Sequence, residues 1–236
     1  LRHLAPLTRV SLAPMLTHAE LRRAAKAAPG FAAVAATFQV SETYHGLNVF
    51  APVLGNGNAS VMRELHDYAR VYALMCRHEE AEAAAGRGGG RGRAGRRYER
   101  VVFSRLEFVW LAAHPPLSVL AASTLWVPSG QVIVGTNDRH AVMNRSMAPA
   151  YFGRWTLLTS RELTSAFSVR SVQRMGAEDF LRSVLDHARL PWGEFPNTAY
   201  LACCASAGTN CFSSGCWAIA SNHRCSLDMA LLDEAS

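Results

Sequence analysis

Residues 60–75, SVMRELHDYARVYALM, carry the clearest structural signal in the chain. Apolar and aromatic side chains recur there at helical spacing: Val61, Leu65, Tyr68, Tyr72 and Met75. Charged side chains occupy positions between them: Arg63, Glu64, Asp67 and Arg70. This arrangement gives a helix one apolar face for a core and one charged face for solvent. We therefore predict an amphipathic helix that has Ser60 as its N-cap and frays over residues 79–85.

The composition around this helix is that of a folded globular protein. Of the 236 residues, 50% are hydrophobic and 18% are charged, and the mean hydropathy is +0.04. These values exclude a wholly disordered chain. The sequence contains no run of about 18 apolar residues, which argues against a membrane-spanning helix. The formal net charge is +6, and Lys26 is the only lysine among the 24 basic side chains. Such arginine-rich basicity favours acidic partners, including nucleic acids.

Three segments before residue 60 have readable local signals. Thr17 and Glu20 form a capping-box pattern at the start of a helix. Residues 31–40 are apolar and aromatic enough for either a buried strand or a helix. Residues 47–54 have the composition of a strand, which Pro52 restricts to the edge or the end of a sheet.

Short strands are also predicted in the middle of the chain. Residues 117–127 and 131–135 flank the turn sequence Pro128-Ser129-Gly130, and this pattern predicts a β-hairpin.

The C-terminal third is predicted to be helical. Residues 159–162, TSRE, form a second capping-box pattern, for a helix that ends at Gly176. The next helix has acidic side chains in its first turn, where the helix dipole favours them. Its apolar stripe consists of Phe180, Leu181, Val184, Leu185 and Ala188. We expect these two helices to form a helical hairpin, and a third helix to follow over residues 198–207.

The predicted fold is therefore α+β. It is mostly helical, with a helical-hairpin C-terminal third and a few short strands. We expect residues 1–236 to form a single compact unit, because apolar segments lie on both sides of residues 86–97 and neither side supplies a closed core alone. Residues 86–97 mark the one possible sub-boundary.

Residues 86–97, GRGGGRGRAGRR, give the strongest indication of a partner. Glycine at this density predicts a flexible loop. The arginines of the loop and its C-terminal flank are the predicted RNA contacts: Arg87, Arg91, Arg93, Arg96, Arg97 and Arg100. Several arginines close together can neutralise several phosphates at once. The alternative is a solvated insertion that binds nothing.

Patterns typical of catalytic or metal sites are weak. The segment at residues 55–60, GNGNAS, fits a strand-to-helix turn better than a dinucleotide-binding loop, because Ser60 replaces the third glycine. The cysteines contain no CxxC pair, so we expect no metal and no cofactor. Their positions are Cys76, Cys203, Cys204, Cys211, Cys216 and Cys225. The compact trio Asp138-Arg139-His140 is interpreted as a surface salt bridge.

One tetrapeptide, Gly215-Cys216-Trp217-Ala218, resembles the nucleophile segment of papain-like proteases, in which Trp follows the catalytic Cys. The resemblance implies Cys216 as a nucleophile. The histidine and asparagine of that family lie more than about a hundred residues after the nucleophile, and the sequence after Cys216 does not supply them at that distance. We therefore name no catalytic residue.

These observations lead to three hypotheses of different classes. The first is a non-enzymatic structural subunit of a large ribonucleoprotein, such as an organellar ribosome. It would contact RNA and neighbouring subunits, and neither a membrane nor a small-molecule substrate; its location would be mitochondrial. The second is a structural coat or capsid segment of a viral shell, located in the virion. The third is a hydrolase that uses Cys216.

Overall fold

The structure, a computed structural model, describes residues 16–41, 50–55, 59–86, 98–105, 108–130, 132 and 135–201. Within these ranges the chain has an α+β fold in which helices outnumber strands, as the sequence predicts. The helices are α1 His18–Lys26, α2 Phe31–Phe38, α3 Ala59–Gly86, α4 Ala148–Phe152, α5 Arg154–Leu158, α6 Glu162–Ala166, α7 Val169–Val172 and α8 Ala177–His187. Short 3₁₀ turns lie at Leu117–Val119 and Arg145–Met147.

The strands form two sheets. They are β1 Arg100–Ser104, β2 Phe108–Trp110, β3 Leu125–Pro128, β4 His140–Asn144, β5 Trp192–Phe195 and β6 Ala199–Leu201. The larger sheet has the order β1-β4-β3-β5, and its β3–β5 pair is parallel while the others are antiparallel. The smaller sheet pairs β2 with β6 in antiparallel register.

The long helix α3 confirms the amphipathic pattern and extends beyond it. It begins at Ala59, so Ser60 lies inside its first turn and does not cap it. The predicted fraying over residues 79–85 is wrong, because the helix continues to Gly86. The reason is a tertiary contact: the Glu79 side chain is buried and paired with Arg145, which holds this part of the helix in place.

The N-terminal segments follow their local signals only in part. Thr17 and Glu20 form the predicted capping box of α1. Residues 31–38 are helical rather than extended. The strand predicted over residues 47–54 is wrong for its described part, because residues 50–55 form a turn. Burial without pairing explains the apolar composition there, since Phe50 packs edge-on against Phe31 at 5.5 Å between ring centroids.

The predicted hairpin around residues 128–130 does not form in the described part of the chain. Strand β3 pairs with β4 and β5 instead, which come from residues further along the chain. The third helix predicted over residues 198–207 is also wrong where the structure describes it. Residues 199–201 form β6, because the backbone of β2 offers them an open strand edge. Residues 202–207 lie outside the described ranges.

The helical hairpin of the C-terminal third has a broken first arm. The predicted capping box at residues 159–162 is wrong: Ser160 Oγ accepts a hydrogen bond from the Glu162 backbone N–H, while Thr159 Oγ1 donates back to Trp155. The arm divides into α6 and α7, and Ser168 caps the second piece. Helix α8 forms as predicted, with Glu178 and Asp179 in its first turn. The apolar stripe of α8 is buried except for Ala188, which is exposed.

Helices α1 to α8 and the inner face of the larger sheet enclose one hydrophobic core. Buried residues from before and after the Gly/Arg-rich segment belong to it, among them Leu65 of α3 and Met143 of β4. The opposite face of this sheet carries a smaller cluster of Leu120, Val142 and Phe195, with Trp126 packed against it. No helix in the described ranges has the length and apolar character that a bilayer crossing requires.

Candidate functional site

The predicted RNA contacts divide into two groups. Arg87, Arg91, Arg93, Arg96 and Arg97 lie outside the described residues. Arg100 is described and is the first residue of β1, where it is half-buried. Its Nη1 donates a hydrogen bond to the backbone carbonyl of Leu120 at 2.9 Å. The Arg100 guanidinium therefore has a partner within the protein through one nitrogen, and its contact with RNA stays a prediction.

Tyr98, the first described residue after the arginine segment, is held against helix α3. Helix α3 ends at Gly86, and the described chain resumes at Tyr98. The Tyr98 backbone N–H donates to Glu79 Oε1 at 3.0 Å, and the Tyr98 ring stacks on His78 with 6.2 Å between centroids. Seven residues of helix separate Glu79 from Gly86, a rise of about 10 Å. Tyr98 therefore contacts α3 about 10 Å along the helix from its end at Gly86.

Glu79 is the residue that organises this anchor. Its exposed fraction is 7%, and its carboxylate accepts hydrogen bonds from Arg145 Nε at 2.9 Å and Nη2 at 2.7 Å. Arg145 also donates to the Tyr72 hydroxyl at 3.0 Å and to Cys76 Sγ at 3.2 Å. The hydrogen bonds to Glu79 are the main cause that raises the pKa of Arg145 above its ordinary value. Arg145 is therefore a neutralised structural cation rather than a phosphate ligand.

The trio Asp138-Arg139-His140, interpreted from the sequence as a surface salt bridge, is buried instead. The exposed fractions of the three residues are 3%, 8% and 2%. Asp138 pairs with Arg154, whose Nη1 lies 3.3 Å from Asp138 Oδ2, and Arg139 pairs with Glu178 at 2.8 Å. The prediction fails because the trio leads directly into β4, a central strand, so the chain passes through the core at this point.

A polar network, which we call the Asp138 network, surrounds the residues at which the chain enters β4. Its members are Glu64, Tyr68, Arg105, Asp138, Tyr151 and Arg154. The Tyr151 hydroxyl donates to the Asp138 carbonyl at 2.6 Å, and the Tyr68 hydroxyl oxygen lies 3.3 Å from the same carbonyl. The Arg154 guanidinium lies over both tyrosine rings, 5.1 Å from each centroid.

Glu64 connects the Asp138 network to solvent. Its carboxylate accepts a hydrogen bond from the Tyr68 hydroxyl and lies 3.3 Å from Arg105 Nη1. Burial, followed by repulsion from Asp138, raises the pKa of Glu64 above its ordinary value, and the Arg105 charge offsets this only in part. Burial also raises the pKa values of Tyr68 and Tyr151 well above the usual range. The Asp138 network therefore fixes the backbone where the chain enters β4. Glu64, at the edge of this network, has a raised pKa.

A second polar feature is a pair of histidines. His114 Nε2 and His140 Nε2 lie 3.0 Å apart, and the His114 ring also approaches the Pro115 carbonyl, at 2.6 Å from Nδ1. Aromatic rings of Phe108, Trp110 and Phe195 surround the pair. Burial, followed by the neighbouring His114, lowers the pKa of His140 to about 4. His140 is therefore a neutral imidazole at physiological pH.

The remaining predicted sites fall largely outside the described residues. This applies to residues 56–58 of the glycine turn and to Cys203, Cys204, Cys211, Cys216 and Cys225. Cys76 is described as a half-buried free thiol. Across the described part of the chain, no group of three or more His, Cys, Asp or Glu side chains converges as metal ligands would.

Sequence reasoning missed both the Glu79 anchor and the histidine pair. Glu79 belongs to a run of charged residues that is typical of a solvated helix end. His114 and His140 are 26 positions apart and form no HxH or HExxH motif. The one local hint was His114-Pro115-Pro116, which ends an apolar segment with an unusual polar residue.

Comparisons with known proteins found no match to this chain. No family model matches the chain. Neither the curated proteins nor the solved structures include a match.

Proposed function

We propose that the protein is a non-enzymatic structural subunit of a large ribonucleoprotein and that residues 87–97 contact RNA. The observation that carries this proposal is the contact of Glu79 with the C-terminal flank of the segment: the buried carboxylate accepts hydrogen bonds from the Tyr98 backbone and from Arg145. A basic segment with a fixed flank loses less conformational entropy when it binds RNA than one whose flanks are both free.

The chemistry of residues 87–97 suits a phosphate backbone. Five of the eleven residues are arginines, and no acidic residue lies between Glu82 and Glu99. Arginine donates two parallel hydrogen bonds to phosphate oxygens, and its planar group also stacks on unpaired bases. Glycines between the arginines let the backbone follow an irregular RNA surface.

A salt titration of RNA binding tests the proposal. The full chain and a variant with four substitutions, Arg91→Ala, Arg93→Ala, Arg96→Ala and Arg97→Ala, are titrated against two unrelated single-stranded RNAs. Each lost phosphate contact reduces the slope of log affinity against log salt by about 0.7. The variant should therefore show a slope flatter by about 3 for both RNAs, because phosphate contacts position a protein without reading sequence.

The matched control removes the same charge elsewhere. Four exposed arginines on the helices and turns after residue 160 are replaced by alanine: Arg161, Arg170, Arg182 and Arg189. This control should keep the original slope. Equal flattening in both variants would mean that net charge alone binds RNA, and an unchanged slope in the first variant would make the segment a bystander.

The same preparations distinguish the other hypotheses. Assembly of the RNA-free protein into closed particles would support a coat or capsid segment. Turnover of a peptide or ester substrate that disappears in Cys216→Ala would support a hydrolase.

A further inference from the structure

The histidine pair described above has a geometry that the RNA proposal does not use. His140 is the first residue of β4, and His114 lies in the connection between β2 and β3. Their Nε2 atoms face each other at 3.0 Å. Two lone-pair-bearing nitrogens that converge in this way can share a hydrogen only if one ring is protonated at Nε2.

The surroundings fix both rings in position. The Trp110 ring lies 5.5 Å from His140 and 5.9 Å from His114, and Phe195 lies 5.9 and 5.6 Å from the same two rings. His114 Nδ1 lies 2.6 Å from the Pro115 carbonyl, so this nitrogen carries the proton and donates it. The Nε2 lone pair of His114 is consequently free to act as an acceptor or as a ligand.

A hydrogen bond between the two rings leaves one buried nitrogen of the pair without a partner. With the His114 proton on Nδ1, the bond between the rings needs a proton on His140 Nε2, which leaves His140 Nδ1 as a bare acceptor. That nitrogen is buried and has no hydrogen-bond partner among the described residues. When His140 binds a metal through Nε2, its proton lies on Nδ1, which then lacks a partner too, so this atom favours neither arrangement and the convergence of the two Nε2 atoms carries the argument.

Metal binding accounts for the convergence of the two Nε2 atoms. Zinc–imidazole bonds of about 2.0–2.1 Å at a tetrahedral angle place two ligand nitrogens about 3.3 Å apart, close to the 3.0 Å observed. Histidines that bind metals commonly donate the other ring N–H to a backbone carbonyl, which is the arrangement of His114 and Pro115. Trp110 is 43% exposed and His114 is half-buried, so an ion can reach the pair from solvent.

We propose that His114 and His140 bind a divalent transition-metal ion, of the zinc or nickel class, through their Nε2 atoms. Imidazole nitrogen suits these borderline metals, whereas Mg²⁺ prefers oxygen ligands. Two protein ligands leave positions open for water. The site is independent of the arginine segment, so either proposal can fail without the other.

Trp110 provides the readout, because its ring lies within 5.9 Å of both imidazoles. The full chain is titrated with Ni²⁺, a quencher of nearby tryptophan fluorescence, and in parallel with Mg²⁺. We expect saturable quenching by Ni²⁺ and none by Mg²⁺. In Trp110→Phe the saturable component should disappear, which assigns the signal to this site rather than to the cysteines.

Three variants complete the test. His114→Gln and His140→Gln can still form hydrogen bonds to the other ring, and each should weaken the Ni²⁺ effect by more than about tenfold, the range known for the loss of supporting ligands. His187→Ala, an exposed histidine at the end of α8, is the matched control and should behave as the unmodified chain. Because His114 is half-buried, His114→Gln remains decisive if His140→Gln fails to fold. Unchanged quenching in His114→Gln, or quenching that survives in Trp110→Phe, would overturn the proposal.

Discussion

Arg154 Nη1 lies 3.3 Å from Asp138 Oδ2, and the two side chains are 0% and 5% exposed. This ion pair joins α5 to the turn that enters β4. Burial is the largest single effect on the pKa of Arg154 and lowers it, but the interactions with Asp138 and then with Tyr151, Tyr68 and Glu64 together outweigh burial, so the net shift is upward. Arg154 is therefore a buried cation, and the Asp138 carboxylate is the ion-pair partner on which it depends for compensation.

Removing one partner of this pair should be strongly destabilising. Asp138→Asn or Arg154→Met leaves the other charge buried without compensation, and each should lower the free energy of unfolding by about 3–5 kcal/mol. The double variant should cost less than the sum of the two, because no isolated charge remains. Urea unfolding of the four proteins measures this coupling. The exposed pair Arg182–Asp186, 3.9 Å apart, is the control and should couple by less than about 1 kcal/mol.

Glu64 should give the stability a measurable pH dependence. Its pKa is raised in the folded state above the ordinary 4.5, so the folded chain holds this proton at pH values where the unfolded chain has lost it. The stabilisation from this proton is complete below the unfolded pKa and is lost as the pH rises through the folded pKa. Glu64→Gln cannot lose a proton there, so its stability relative to the unmodified chain should increase as the pH rises from the unfolded to the folded pKa of Glu64, and should stay constant above it.

Urea unfolding of both proteins at a series of pH values measures the difference directly. A difference that stays constant, or one that shrinks with rising pH, would contradict the assignment of a raised pKa to Glu64.

Gly135 should tolerate no side chain. Its φ angle is +97°, and an added Cβ would lie 2.5 Å from the Glu178 carbonyl carbon and 2.6 Å from the Asp179 nitrogen. These are backbone atoms of the first turn of α8, which have little freedom to move. Gly130 has a similar φ of +73° with open space around it. A substitution at Gly130 therefore measures the cost of the positive φ angle without a clash. We expect Gly130→Ala to cost about 1–2 kcal/mol and Gly135→Ala to cost about 1–3 kcal/mol more through the clash. Thermal or urea unfolding of both variants compares them, and equal losses would show that the close approach to α8 is absent.

The accuracy of the sequence predictions followed the range of the interactions involved. The α1 capping box and the first turn of α8 were predicted correctly, because both depend on residues three or four positions apart. The hairpin around Pro128 was wrong, because β3 pairs instead with residues 16 or more positions away in β4 and β5. Strand pairing over such distances leaves no local pattern in a single sequence.

The candidate sites depend even more on contacts between residues that are distant in the sequence. His114 and His140 meet only because the chain returns to β2 and β4 through tertiary packing, so no motif could join them. Asp138 and Arg139 have the composition of a surface turn, and only their partners on α5 and α8 explain their burial. The arginine segment was recognisable by composition alone. The Glu79 contact that holds Tyr98, after this segment, was not recognisable in the sequence, because it depends on Arg145, 66 positions from Glu79.

Substitution of Glu79 should have the opposite effects to the arginine substitutions: it should reduce stability and leave the salt slope of RNA binding unchanged. Glu79→Ala removes the carboxylate that accepts hydrogen bonds from Arg145 and from the Tyr98 backbone. The Arg145 guanidinium then stays half-buried without its anion, and the free energy of unfolding should fall by about 3 kcal/mol. The arginines of residues 87–97 remain, so the salt slope of RNA binding, which counts phosphate contacts, should not change.

The affinity of Glu79→Ala at fixed salt should nevertheless decrease, because a loop with a free end loses more conformational entropy when it binds. The exposed neighbour variant Glu80→Ala is the control and should leave stability, slope and affinity unchanged. Urea unfolding and salt titration of the same preparations test both halves of the prediction. A flattened slope in Glu79→Ala would mean that the anchor itself determines how many phosphates are bound. An unchanged stability would mean that the Glu79–Arg145 pair does not hold the end of α3, and the structural basis for the RNA proposal would be lost.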